Sequence, residues 1–249
     1  MTPRQLININ ELPTSIQAPV SQFALKLLEN LGDNVKTILV YGSGTGVNYN
    51  PGVSNVNIAV IVQKLDFTVL KQALALVKGA RKHKIAPPLL LTKEYVLNSL
   101  DVFPIEFSEI KEQHKIIFGE DFFAGLNIPL TDIRLLCEQQ IKGKLLHLCQ
   151  AYLDIGSNPA ALKNFVSRAF SDLVPVFRRL ISLKGQVPCA NKEDMLRQLA
   201  KIFSLEEQSL LAIYHDKNKK ILISSRQVET HFQDFFAQLE ILSRHMDSL

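Results

Sequence analysis

The stretch YGSGTGVNYNPGVSNVNIAVIV, from Tyr41 to Val62, decides the reading of the fold. It leaves an apolar run (TILVYGS, Thr37 to Ser43), crosses a glycine-rich turn and enters a second run (VNIAVIV, Val56 to Val62). Runs of this length, rich in Val and Ile and bounded by Gly, Pro and Asn, predict strands with a covered face. PPLLLT (Pro87 to Thr92) and FPIEFSEI (Phe103 to Ile110) predict two more. Between the second and third, Phe67, Leu70, Leu74 and Val77 recur at helical spacing and predict a helix packed on the sheet through that stripe. Ser21 and Gly32 have the chemistry of a helix start and stop and predict a helix from Ser21 to Leu31.

Beyond Leu130 the period is helical throughout. Ile133, Cys137, Ile141, Leu145, Leu148 and Tyr152 form one stripe. Asn158 followed by Pro159 marks the start of a second helix that ends at Gly185 and contains Pro175, where a kink is expected. Asn191 and Ser204 predict caps of two shorter helices, Ser204 with Glu207 at capping-box spacing. Val228, Phe232, Phe235, Leu239 and Leu242 line a last helix from Arg226 to Met246. The fold class expected is α+β: a small mixed-sheet domain over residues 1–127, followed by an all-α helical bundle over 128–249.

The 249 residues carry 28 Lys and Arg against 24 Asp and Glu, a net charge of +4. The imbalance is spread evenly, 12 against 11 up to Asn127 and 16 against 13 beyond it. No long basic face that would neutralise many phosphates is visible, so nucleic acid is not expected as a partner. No run approaches the roughly 18 apolar residues of a membrane span, and the N-terminus lacks a signal-peptide pattern. Cys137, Cys149 and Cys189 have no paired spacing and read as buried thiols in a reducing cytoplasm. Phe232, Phe235 and Phe236 read as core, or as a surface of the helical half for a protein partner or a second copy.

The turn and the strand after it carry the chemistry. Glycine lets the backbone approach a phosphate closely, which marks Gly42, Ser43, Gly44 and Gly46 as a candidate nucleotide cradle. Asn55 and Asn57 stand two apart at the head of a strand, so both side chains look to one face. Asparagine entering a strand is also an ordinary turn residue, and Glu106 between Ile105 and Phe107 is also an ordinary exposed strand carboxylate.

Taken together, Gly42-Ser43, the pair Asn55 and Asn57 after Ser54, and Glu106 resemble the signature of the nucleotidyltransferase superfamily, the group of the polymerase-beta-like and aminoglycoside-modifying enzymes. The resemblance covers Val35 to Phe123, and the helical second half suits the aminoglycoside-type members. In that family the two positions held here by Asn55 and Asn57 are aspartates, and a third acid, here Glu106, comes from a later strand. The resemblance implies a nucleoside triphosphate donor, Mg2+ held by the acids, and transfer of a nucleotidyl group to a hydroxyl. Asparagine keeps the size and one oxygen but removes the charge, and Mg2+ is a hard ion that surrenders water reluctantly. With Glu106 as the one expected anionic ligand, loss of metal stabilisation costs several kcal/mol of the barrier. The expectation is a nucleotide-binding protein impaired in transfer, a pseudoenzyme; a non-catalytic nucleotide-sensing or protein-interaction module is the alternative. Arg226 and His231 also have the Arg-x4-His spacing of the helical ribonucleases often encoded beside minimal nucleotidyltransferases, a second alternative in which histidine acts as acid or base.

Overall fold

The computed structural model describes residues 5–46, 49–51, 54–156, 158–218 and 220–247. The chain divides into two compact units, Met1–Ile128 and Pro129–Leu249. In the first, helix α1 (Thr14–Leu31) leads to β1 (Val35–Tyr41), and a 3-10 turn (Gly42–Thr45) precedes β2 (Asn57–Val62). Helix α2 (Phe67–Ala80), β3 (Leu89–Thr92), α3 (Lys93–Leu97), α4 (Pro104–Glu112) and β4 (His114–Gly119) complete it. The sheet is mixed, in the order β3-β2-β1-β4. β1 is antiparallel to both β2 and β4, while β2 and β3 are parallel.

Alternation along β2, and along β1 from Thr37 onward, divides the core in two; a register shift between Val35 and Thr37 leaves Val35 on the same side as Ile38. Val35, Ile38 and Val40 with Val56, Ile58, Val60 and Val62 face the α1 and α2 side. Leu39, Ala59 and Ile61 face the opposite side, where they meet Val96, Phe107, Ile110, Phe123 and Leu126. This period of two is the usual pattern of a strand covered on both faces. The far edge of β4 is covered by the N-terminal segment: the Ile7 N–H donates to the Ile117 carbonyl (2.9 Å) and Asn8 Nδ2 to the Ile116 carbonyl (3.0 Å).

The structure corrects several expectations. FPIEFSEI is a helix, α4, not a strand, and HKIIFG supplies β4 instead. The run is short enough to fit both periods, and Pro104 in the first helical position, with Ile105, Phe107, Ser108 and Ile110 buried, settles it as a helix. Helix α1 starts at Thr14 and runs through Pro19, because Ile16, Val20, Phe23, Ala24 and Leu27 make one continuous buried stripe across it. That burial outweighs the one lost hydrogen bond.

Helix α2 is present, but its conspicuous stripe is on the outside. Phe67, Leu70 and Leu74 are 70%, 46% and 59% exposed, and the buried positions are Val69, Ala73, Val77 and Ala80. The start is set by Asp66, whose side chain accepts from the Thr68 and Val69 N–H groups at 3.0 and 3.1 Å.

The second unit is helical: α5 (Leu130–Ile155), α6 (Pro159–Leu183), α7 (Lys192–Phe203), α8 (Glu207–Lys217) and α9 (Val228–Met246). Asn158 caps α6 through the Ala161 N–H (3.1 Å), with Pro159 in the first turn and Pro175 in the interior. Asn191 caps α7, but Ser204 is the left-handed residue that ends α7, at φ 53°, and Glu206 precedes α8. Phe232 and Phe235 are buried in this unit. Cys137 is buried as expected, whereas Cys149 is exposed and Cys189 half-buried, all three free thiols. Lys220, His215 and Arg197 surround Glu193 and hold its carboxyl well down, to about 2. Among the described residues, no helix is long and apolar enough to cross a membrane.

Shortening a buried side chain leaves a cavity, whereas trimming an exposed one does not. Val77→Ala is expected to lower stability by about 1–2 kcal/mol. Leu74→Ala changes it by less than about 0.5 kcal/mol. Urea unfolding of both variants checks the assignment, and the reverse order would refute this placing of α2.

Candidate functional site

The end of the sheet where β1 stops and β2 begins gathers the polar residues of the first unit. Tyr41 pairs with Asn57 on β2 and with His114 on β4, so three adjacent strands contribute one residue each to a row. Leu39 and Ala59 lie two residues deeper on the α4 side, so the row faces that side too. Asn55 precedes the strand, is exposed, and by the same alternation looks the same way as Asn57. Between them, Val56 turns to the opposite core and bridges to Ile85.

The turn after β1 abuts this row. Gly42 takes φ 66°, a left-handed conformation that glycine adopts at no steric cost, and its N–H donates to the Gln113 carbonyl (2.9 Å) at the end of α4. A Cβ on Gly42 would lie 3.6 Å from Asn57 Nδ2, which places the asparagine amide directly beside the turn. A Cβ on Gly44 would lie 2.9 Å from Val40 Cγ1, so only glycine lets the turn fold back on β1. Thr45 Oγ1 closes the turn by donating to the Gly42 carbonyl (2.8 Å). Ser43 and Gly46 are both half-buried in it. The structure therefore brings Gly42, Ser43, Gly44, Gly46 and Asn57 together, with Asn55 at the entrance.

It does not bring Glu106 into the sheet. Glu106 lies in the first turn of α4 and is exposed. The chain beside Asn57 on the β3 side is Ala86 and Pro87, since Val56 bridges to Ile85 and Ala59 pairs with Leu89. A third acid from a neighbouring strand is therefore missing at the point where two metal ions would need it. Two neutral amides, an exposed helical glutamate and an apolar neighbour do not fit a divalent metal. Among the described residues, no group of three His, Cys, Asp or Glu is placed to hold one.

Sequence reasoning passed over the rest of the row. Burial, and after it the nearby Glu109 carboxylate, push the Tyr41 phenol up to about 12. His114 Nδ1 donates to the Ile110 carbonyl (2.8 Å), and its Nε2 lies 3.1 Å from Asp121 Oδ2. The one signal available beforehand was the position of Tyr41 at the last strand residue before the glycines. The pair Arg226 and His231 lies elsewhere: Arg226 is exposed in the turn before α9. His231 Nδ1 is buried and has no hydrogen-bond partner among the described residues, in a wall shared with Lys163, Ser167 and Asp216.

The mixed sheet and the helical second unit make an α+β fold, nucleotidyltransferase-like by its likeness to a solved adenyltransferase. The chain is similar in structure to spectinomycin adenyltransferase AAD(9) from Enterococcus faecialis, solved with ATP and spectinomycin. The superposition has a TM-score of 0.58 at 13% sequence identity, covering 90% of this chain and 98% of that one. No family model and no curated protein matches the sequence.

A tyrosine that holds its proton more tightly folded than unfolded stabilises the fold below the unfolded value, near 10. That contribution is lost as pH climbs from 10 to about 12. Denaturant titrations at pH 9 and pH 11.5 are expected to show a smaller loss of stability in Tyr41→Phe than in the parent. An equal loss in both would mean that Tyr41 is not the buried phenol described.

Proposed function

We propose that this protein binds a nucleotide at the Gly42–Gly46 turn and the head of β2, and that it does not perform metal-dependent nucleotidyl transfer. The observation that carries this reading is the placement of Asn57 Nδ2 against the Gly42 backbone. In the family that the chain resembles, the position held here by Asn57 is a metal-binding aspartate, and an amide there supports binding without transfer. The likeness to an adenyltransferase solved with ATP supports a nucleoside triphosphate as the ligand class.

The parts have distinct tasks in this scheme. Gly42 and Gly44 let the backbone come close to a phosphate without a side chain in the way. Ser43 supplies a hydroxyl within the turn, and Asn55 and Asn57 supply amide N–H donors from one face. Transfer needs more: an oxygen nucleophile made reactive and a pyrophosphate leaving group whose charge is neutralised. In two-metal enzymes, ions held by carboxylates do both. Here neither amide takes up a proton near neutral pH, and neither brings a cation to the leaving group.

Thermal-shift titration with nucleoside triphosphates is expected to raise the melting temperature, with no pyrophosphate released in the presence of Mg2+ and a panel of aminoglycosides. Gly44→Val, which crowds Val40 and deforms the turn, is expected to abolish the shift. Pyrophosphate release by the unaltered protein would overturn the claim of inactivity. The absence of a shift with every triphosphate would overturn nucleotide binding.

A further inference from the structure

The two edges of the sheet are finished differently. At β4 the chain covers its own edge, through the Ile7 and Asn8 hydrogen bonds to the Ile117 and Ile116 carbonyls. At the other edge β3 pairs with β2 on its inner side, and among the described residues no backbone hydrogen bond reaches its outer side. An open edge is a template for a further strand, and proteins commonly blunt it with charge or a covering element. β3 reads Leu89-Leu90-Leu91-Thr92, carries no charge and is only partly covered. Pro87 and Pro88 precede it and take no donor from the strand itself.

A roof already stands over the place where a further strand would lie. β2, α2 and β3 form a crossover unit, in which the helix runs along the strands it covers. The exposed Phe67, Leu70 and Leu74 of α2, with Pro87, Pro88 and Leu90, line a groove of about 420 Å³. A strand added beside β3 would send every second side chain into that groove. The large apolar residues on the outer face of α2 then acquire a partner, which the sheet's own strands do not give them.

Charge selects the kind of strand. Lys71 and Arg81 line the same groove, and Lys71 Nζ stands 5.0 Å from the centre of the Phe67 ring. No Asp or Glu occurs between Phe67 and Lys93. Two copies of the chain joined edge to edge would set these cations against their own kind, whereas an acidic segment complements them. The two cations are ten residues apart. That is ~15 Å along a helix, a span covered by about five strand residues.

We propose that the outer edge of β3 and the exposed face of α2 receive an extended acidic segment of a partner protein as a further strand. Its apolar side chains fill the groove and its carboxylates meet Lys71 and Arg81. The surface uses no residue of the Gly42–Gly46 turn, so it stands or falls independently of nucleotide binding.

The probe is the peptide acetyl-Glu-Thr-Val-Thr-Val-Thr-Glu-amide, with a second version carrying leucine for valine and a control carrying lysine at both ends. Isothermal titration into the full chain reads affinity, and backbone hydrogen exchange reads strand addition. An acidic peptide is expected to bind, to slow exchange at Leu89 to Thr92, and to exceed the lysine control by about tenfold. Leu74→Glu, at an exposed position, is expected to keep the melting temperature and lose the peptide. Lys71→Glu with Arg81→Glu is expected to reverse the preference to the lysine control. No binding of either acidic peptide overturns the inference, as does equal affinity for the control. Binding without slowed exchange in β3 overturns strand addition. A dimer in sedimentation that Leu74→Glu dissolves assigns the edge to a second copy and overturns the inference. Binding to phosphatidylserine vesicles, lost in Leu74→Glu and unaccompanied by peptide binding, assigns the face to a lipid surface and overturns it too.

Discussion

The cross-strand pair Tyr41–Asn57 is the constraint on which the rest of the first unit depends. It closes the β1–β2 ladder, and the register it sets runs without slip to the pair Ile38–Val60. In a strand buried on both faces, a shift by one residue exchanges the two cores. Ile58, Val60 and Val62 would then confront α4 and Phe123, while Ala59 and Ile61 would face the α1 and α2 side. The small residue at 59 and the β-branched residues at 58, 60 and 62 therefore discriminate between registers. The same choice decides that Asn55 and Asn57 look toward the turn rather than into the α1 core.

The turn in its turn depends on β1. Gly44 packs on Val40, and Gly42 is anchored to Gln113, so the backbone of the turn is held from below and from the side. That anchoring links the site to α4 and thereby to the core of Leu39, Phe107 and Ile110. A loop held this way is preorganised, and preorganised backbone donors lose less entropy on binding an anion than a free loop would.

Much of this was legible in residues, and the gaps have physical causes. The strand, turn and strand from Thr37 to Val62 were readable because glycines and β-branched runs are strong local signals. The asparagine pair could be placed because two-residue spacing on a strand leaves no ambiguity of face. FPIEFSEI misled because eight residues with apolar groups at 103, 105, 107 and 110 satisfy both periods; the choice was made by Pro104 and by the tertiary room under the sheet. Helix α2 misled for another reason. Its largest side chains mark the exposed face, while the small ones, Ala73 and Ala80, are buried and the helix packs on α1. Size rather than hydrophobicity decided that contact, and periodicity does not weigh size. Tyr41 and His114 share a row only through pairing over 73 residues of sequence, which no local pattern reports.

The asparagines also make sense as stability. Two carboxylates two residues apart on a strand repel each other when no metal is bound, by on the order of 1 kcal/mol at a site as open as this. A protein that uses a metal accepts that cost in its empty state, since catalytic sites commonly give up stability for function. Here the amides remove it, while the β2 pairing, the glycine turn and the Gly42–Gln113 hydrogen bond are all kept. Gly44 is required by packing alone, since a Cβ there would lie 2.9 Å from Val40 Cγ1. Loss of the charge and retention of the turn are thus physically independent, since no bond that holds the turn passes through a carboxylate at 55 or 57.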